Sequence, residues 1–448
     1  MTAEVVLMNK ASVAMAADSA VTISQGRSGF KTFHTVNKMF ELKRGSGIGV
    51  MIYSNAEFNG VPWETVIKRF RQNRPGFHPH LSDYVDELLD YLRTDEAAPS
   101  NHDSAVITDA INQHTLGVFD FLQRRGPEWI SGKGVVKKAP LNRIFAEYLD
   151  LFAERLESAE DPAWAADLSE HMKSGAHREV VREFVADMFK NFPLLPTRLN
   201  RLEVLLCAAL SKCLREPSES GLVMAGFGQA DSFPSMFACR VRGRVGGVVR
   251  SVHERYVEIS LDSPSHIETF AQDEQAHGFL TGITKQVRSQ VLQYWRTWSN
   301  RFAKRAAAVL EDQVPSIRSP QTRAKIAAAM ADMAKQAVVD FGSTMAQHET
   351  DVFLGPMLRS VAVLPKDEVG TLASSLVNVT SLRQKMSISD LETVGGPVDC
   401  ALISPGDGFV WLSRKHYFDQ SLNPSWHLSH RYAEVATPAE GMKNEQEA

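Results

Sequence analysis

The chain has 448 residues, of which 44% are hydrophobic and 23% charged, with a formal net charge of -4; that is ample material for a large core and length for two to three domains. The near balance of charge and a pI near 6.4 exclude a globally basic nucleic-acid surface and point to an ordinary cytoplasmic protein. Cys207, Cys213, Cys239 and Cys400 contain no CxxC pair, so they describe neither a disulfide scaffold nor a zinc site and read as reduced small hydrophobes.

Glu4 to Met8 and Ser12 to Ala17 alternate around a polar Asn9-Lys10 turn, which predicts a hairpin at the start of the chain. Glu4 stands where a signal peptide needs basic residues, and no stretch is long enough for a membrane span. A Ser-, Gly- and Thr-rich stretch, 24–35, follows Asp18. Strand alternation resumes at Lys38 to Leu42, a Gly45-Ser46-Gly47 turn comes next, and Ile48 to Tyr53 reads as a strand buried on both faces. Trp63 to Arg71 and Ser82 to Leu92 carry helical spacing. Ser104 to Ile107 and Thr115 to Phe121 read as short strands. From Leu141 to Leu214 the pattern is helical.

Strands return at Gly221 to Gly226, Ser235 to Arg242 and Gly246 to His253, and Phe270 to Ile283 reads as helix. Long Ala-rich helices fill Val287 to Thr350, broken near Pro315 to Pro320, and Glu368 to Met386 is one more helix. Val398 to Ser404 and Gly408 to Ser413 form a closing strand pair, and the tail after Tyr432 is polar and reads as disordered. Strands at the start, middle and end of the chain, separated by helical blocks, suit one sheet system assembled from distant segments, with helices on its faces.

The chemistry lies in the first residues. Thr2 carries a small side chain of the kind that permits removal of Met1. A free N-terminal threonine holds both a hydroxyl nucleophile and, in its own α-amine, a base of pKa about 7.7–8.0. Thr2 to Val6 and Val13 to Asp18 then resemble the opening of a proteasome β-subunit, an N-terminal-nucleophile (Ntn) hydrolase, and the whole resembles a divergent bacterial-type member with helical insertions. The resemblance implies that Asp18 is the catalytic acid and that Lys38, followed by Met39, holds down the pKa of the nucleophile. It implies that Ser54, within Ile52 to Ala56, donates its backbone N–H to the oxyanion, at a position where most relatives have glycine. Leu222 to Phe227 resembles the family's middle strand. Asp390 to Gly395 with Val398 to Ser404 resembles its last helix-to-strand passage, making Asp390 and Thr393 the groups that support the terminal amine.

The resemblance implies an α+β fold, a four-layer α/β/β/α sandwich of mainly antiparallel sheets. One domain, 1–432, would be assembled from 1–135, 216–284 and 356–432, with helical insertions at about 141–215 and 285–355 and a polar tail at 433–448. The implied function is amide-bond hydrolysis by a threonine-type peptidase through an acyl-enzyme, with no cofactor or metal. Its partners would be a peptide or amide substrate, further copies of itself and a separate ATPase, since the chain has no Walker loop, with no nucleic acid and no membrane. The sequence departs from the family at Ala20, where an Arg is expected, near Phe270 to Gln272, where a supporting Ser-Gly segment is not recognisable, and in both helical insertions. A catalytically inactive scaffold that recruits partners, or a small-molecule amidase on the same fold, stays open beside the peptidase.

Other features read more plainly. His78-Pro79-His80 lacks a third ligand and reads as a solvated loop. Arg240, Arg242, Arg244 and Arg250 read as a charged strand edge that blocks pairing. The Ala-rich helices near 303–340 suit close helix packing.

Overall fold

The computed structural model describes residues 3–24, 30–33, 36–132, 134–173, 175–214, 216, 218–271, 274–314, 319–386, 395–416 and 418–423. Its strands are β1 (Ala3–Asn9), β2 (Ser12–Ala17), β3 (Val21–Ser24), β4 (Phe30–Phe33), β5 (Met39–Glu41), β6 (Ile48–Ser54), β7 (Glu57–Phe58), β8 (Val61–Pro62), β9 (Ser220–Gly226), β10 (Ser235–Val245), β11 (Val248–Glu258), β12 (Ser265–Ala271), β13 (Asp399–Ser404) and β14 (Gly408–Ser413). Its helices are α1 (Trp63–Asn73), α2 (Leu81–Leu92), α3 (Asp103–Arg124), α4 (Gly126–Trp129), α5 (Lys138–Glu157), α6 (Ala165–Lys173), α7 (Ala176–Phe189), α8 (Pro196–Leu210), α9 (Glu274–Thr281), α10 (Lys285–Gln313), α11 (Pro320–His348), α12 (Gly355–Val361) and α13 (Lys366–Lys385).

The fold is a mixed α+β one, with antiparallel sheets and many helices. One sheet runs β12-β1-β2-β13-β14 and a second β11-β10-β9-β6-β5. Every neighbouring pair in both is antiparallel. The opening hairpin is buried at every position of both strands, and alternation explains how. Val6, Met8, Val13 and Met15 join Met51, Val223, Ala225 and Met236 of the second sheet in one buried cluster. Ala3, Val5, Leu7, Ala14 and Ala16 turn the other way and pack on Val369, Ala373, Leu376 and Val377 of α13. On the far side of the second sheet, Ile48, Val50, Ile52, Leu222 and Met224 pack on α1 and α2 through Trp63, Ile67, Leu81 and Leu88.

Burying one such side chain contributes roughly 1.5–3 kcal/mol. A one-residue slip of β1 would exchange the faces of all its side chains, so its register is strongly fixed. The two sheets approach closely over Gly49, where an added Cβ would lie 2.4 Å from Met15 Sδ. Asn9 secures the hairpin turn: its Oδ1 accepts from Ala11 N and Ser12 N, each at 3.0 Å, and its Nδ2 donates to Val361 O and Leu364 O.

Three sequence expectations change. The expected strands Ser104 to Ile107 and Thr115 to Phe121 both lie inside α3, whose buried Ile107, Ile111, His114, Val118 and Leu122 follow the helical period. Phe270 and Ala271 end β12, which pairs along the whole of β1, and helix begins only at Glu274. The arginines do not form an exposed charged edge: Arg240, Arg242 and Arg244 lie on the inner strand β10, and Arg250, although on the edge strand β11, is fully buried. Arg242 and Arg244 are buried as well. Arg242 pairs with Glu219, Arg244 with Asp103, and Arg250 with the buried Glu216.

Helices α3 and α5–α8 share their own core, including Ile111, Phe145, Phe152, Phe189 and Leu206, which meets the second sheet at Val245. Helices α10 and α11, of 29 residues each, are about 43 Å long at 1.5 Å per residue and pack chiefly on one another. Ala303, Ala307 and Ala334 are buried there, while Tyr294, Trp298 and Phe302 are exposed. Among the described residues, no helix is long and apolar enough to cross a membrane.

Candidate active site

Asp18 directly follows β2, and the chain turns there under its carboxylate. Its Oδ1 accepts from Ala3 N at 3.1 Å and from Lys38 Nζ at 2.7 Å. Its Oδ2 accepts from Gly395 N at 2.9 Å and Ala20 N at 3.4 Å. Asp18 N in turn donates to Ala3 O at 3.1 Å. The side chain is therefore a buried staple between the first residue of β1, the end of β2 and the passage into β13. Ser19 adds to it, donating from Oγ to Pro397 O at 2.6 Å.

Lys38 immediately precedes β5, and its carbonyl accepts from Ile52 N at 2.8 Å. The Lys38 and Asp18 side chains are 5% and 0% exposed, which rules out a solvent-facing strand lysine and a mere surface turn. Burial holds the Lys38 amine below its ordinary pKa, while Asp18 and then Glu4 pull it back up.

Ser54 ends β6 with φ +68°, the left-handed region that glycine favours and other residues enter at about 1–2 kcal/mol. The turn around it is anchored. Asn55 Nδ2 donates to Ser218 O at 2.8 Å, and Ser220 Oγ, which accepts from Trp63 Nε1, donates to Asn55 O at 3.0 Å. Lys38 and Ser54 line one open cleft, together with Asn37, Tyr53 and Trp63. The Tyr53 ring stacks on Phe270 and its hydroxyl donates to Glu254. The ring also lies over Gly221, where an added Cβ would fall 1.9 Å from Tyr53 Cζ. Burial, with Glu254 beside it, pushes the Tyr53 hydroxyl pKa up, so it stays a donor.

Of the six residues singled out in the sequence, Asp18, Lys38 and Ser54 come together here; Thr2, Asp390 and Thr393 lie outside the described residues. Gly395, where the described chain resumes, donates its N–H to Asp18. Three further groups were not anticipated. Glu4 is 1% exposed, with neither carboxylate oxygen hydrogen-bonded among the described residues. Asp399 and Lys415 form a second buried ion pair, beside Lys38. The signal for Glu4 was one acid in an otherwise apolar strand; for Asp399 and Lys415 no local pattern existed.

Among the described residues no cluster of His, Cys, Asp or Glu is placed to hold a metal. His78 and His80 are engaged by Glu87 and Asp231. Cys239 and Cys400 are buried, Cys207 and Cys213 partly so, and all four are free thiols.

No family model and no curated protein matches the chain. Among solved structures it is similar to an Anbu mutant from Hyphomicrobium sp. strain MC1, at 9% identity and TM-score 0.28, over 99% of this chain and 100% of that one. It is similar to Anbu, described as an ancestral beta-subunit, from Yersinia bercovieri, at 12% identity and TM-score 0.23, over 98% and 99%. It is similar to the Anbu complex in a helical assembly from Pseudomonas aeruginosa, at 9% identity and TM-score 0.32, over 98% of each chain. At these values the likeness assigns no activity, and a functional reading rests on this chain's own residues.

Proposed function

We propose that this protein is an amide-bond hydrolase of the threonine-peptidase type on a four-layer Ntn-hydrolase fold, with Thr2 as nucleophile once Met1 is removed. One observation carries the reading: the buried Lys38 ammonium is held by the carboxylate that also binds the amide of Ala3, one peptide bond from Thr2. A buried ammonium there favours an alkoxide over a hydroxyl. The Thr2 hydroxyl attacks the substrate carbonyl and its α-amine takes the proton and passes it to the leaving amine. An ester forms, and water, activated by the same amine, releases the acid. The Ser54 N–H meets the oxyanion; removing one such donor typically costs about two to three orders of magnitude in rate. Asp390 and Thr393 support the amine in this reading, and the cleft beside Lys38 and Ser54 receives a peptide or small amide. A separate ATPase would feed it folded substrates, and a cytoplasmic setting fits both.

Intact mass tests the reading first. Loss of Met1 with a free Thr2 amine, followed by a single adduct from an acylating β-lactone probe that Thr2→Ala abolishes, supports it. Retained Met1, or equal labelling of Thr2→Ala, sinks it.

A second reading, an inactive scaffold that recruits partners or further copies, is favoured by one feature. Tyr294, Trp298 and Phe302, 70%, 45% and 60% exposed, lie four residues apart along one face of α10, an apolar stripe of the kind that marks interaction sites.

A further inference from the structure

Glu4 is the one charged residue of β1, and the register fixes where it points. Directly paired residues of neighbouring antiparallel strands share a face. Glu4 is paired with Phe270 of β12 on one side and with Ala17 of β2 on the other, and both partners belong to the buried cluster between the sheets. Asp399 of β13 is paired with Ala17 at the same level. One row thus crosses the sheet as Phe270, Glu4, Ala17 and Asp399, with small Ala17 separating two acids. This row faces the second sheet, where Lys38 enters β5.

A fully buried carboxyl with no hydrogen-bond partner among the described residues is an unfavourable thing to keep in a core, and a leucine there would extend the pattern of Val6 and Met8. We propose that Glu4 is a positioning residue of the candidate active site, acting through the Lys38 ammonium as the second acid of an Asp18–Lys38–Glu4 cluster. The proposal rests on the hydrolase reading above.

Burial pushes the Glu4 carboxyl up to about 8, against the downward pull of Lys38 and with a further upward push from Asp18. The other charged groups around the row are already committed. Lys415 pairs with Asp399, Tyr53 of β6 donates to Glu254 of β11, and Glu268 of β12 pairs with Arg255. At neutral pH Glu4 keeps its proton, and Asp18 is the carboxylate hydrogen-bonded to Lys38. Above the Glu4 midpoint two carboxylates share one ammonium, the cluster gains a net negative charge, and the lysine no longer favours the alkoxide. Glu4 thereby sets an alkaline limit on acylation.

Two measurements on the full chain test this separately. The first is ¹³C NMR titration of glutamate side-chain carboxyls, with the Glu4 signal assigned by its loss in Glu4→Gln. We expect a midpoint far above the ordinary carboxylate range, moving higher still in Lys38→Met, which removes the attracting charge. An ordinary midpoint, or one indifferent to Lys38→Met, overturns the proposal whether or not the protein is a hydrolase. The second is the rate of β-lactone acylation against pH, read by intact mass. The parent rate should fall about tenfold per pH unit above the Glu4 midpoint, as one ionisation dictates, and Glu4→Gln should lack that limb. Identical profiles overturn the proposal. A parent that never reacts overturns the hydrolase reading instead, and the NMR result alone then decides whether Glu4 and Lys38 are coupled.

Discussion

Replacing Asp18 with asparagine asks how much the buried pair holds together. At 2.7 Å two unit charges attract by about 6 kcal/mol at an effective dielectric constant of ~20. Desolvation of both ions offsets several kcal/mol of that. Asparagine keeps the shape but fails on chemistry. Asp18 accepts from Lys38 and Ala3 N through one oxygen and from Gly395 N and Ala20 N through the other, so the amide's NH2 must face a donor whichever way it turns. Lys38 is left buried without the Asp18 carboxylate that it pairs with. Breaking a buried pair from one side typically costs about 3–5 kcal/mol, and the same loss should appear locally as amide exchange at Ala3 and Gly395 faster by roughly two orders of magnitude or more. Hydrogen exchange with mass or NMR detection reads this directly. Adding Lys38→Met should recover part of the loss, because it removes the buried charge. If Asp18→Asn leaves the exchange of Ala3 and Gly395 unchanged, the staple is not what closes the hairpin. If the double variant shows coupling below about 0.5 kcal/mol, the pair is not an energetic unit.

Glu4 makes stability depend on pH with a known sign. Unfolded, its carboxyl titrates near 4.5; folded, near 8. Between these values the native state keeps a proton that the unfolded chain has released, so stability is full below about pH 4.5 and falls as pH rises towards 8, by on the order of 5 kcal/mol in all. Glu4→Gln cannot ionise, so its urea midpoint should exceed that of the parent at pH 8 and converge with it near pH 4.5; a pH-independent difference refutes this. Ser54→Gly should relieve the left-handed strain and stabilise by about 1 kcal/mol, while keeping the N–H and hence the acylation rate; marked loss of acylation shows that the side chain itself contributes. Gly221→Ala should destabilise by about 1–3 kcal/mol and displace the Tyr53 ring from the cleft wall, seen as altered Tyr53 ring signals by NMR; unchanged signals and stability refute the close approach. For the scaffold reading, Trp298→Glu with Phe302→Glu should lower the mass seen by light scattering if α10 joins copies; an unchanged mass excludes α10 as that joint.

Much of this was legible because the signals were local. The hairpin at Glu4 to Ala17 announced itself by alternation around Asn9-Lys10, and both of its strands are strands. Ile48 to Tyr53, read as buried on both faces, lies between the helices α1 and α2 on one side and the other sheet on the other. Where the reading failed, the deciding contact was distant. Thr115 to Phe121 has enough β-branched and aromatic residues to pass for strand, yet Ile111, His114 and Val118 turn one helical face to the core of α5–α8. Phe270 looked like the start of a helix because its partner, Glu4, is 266 residues away along the chain. The arginines of β10 and β11 looked like an exposed edge because Glu216, Glu219 and Asp103, which neutralise them, belong to other segments.

The same distinction applies within the site. Asp18 and Lys38 were singled out through the family resemblance, Asp18 by its count from Thr2 and Lys38 by the strand that starts after it, and the structure places the two side chains 2.7 Å apart. Their chemical character could not be found that way, because it depends on what closes over them. Gly395, Pro397 and Asp399 return from the far end of the chain to cap Asp18, bond Ser19 and flank Ala17. That cap helps to bury the Lys38–Asp18 pair, whose burial lowers the lysine pKa, and it lies in the same row as the buried Glu4. Displacing the 395–399 passage should therefore act on all three groups at once. A Gly395→Pro substitution, which removes the N–H that Asp18 accepts and cannot hold the positive φ of +155° that Gly395 adopts, should displace the passage and shift the Lys38 amine back towards its ordinary value and the Glu4 carboxyl down towards its own, both measurable in one NMR titration. Movement of one without the other would show that the two groups are buried by separate causes.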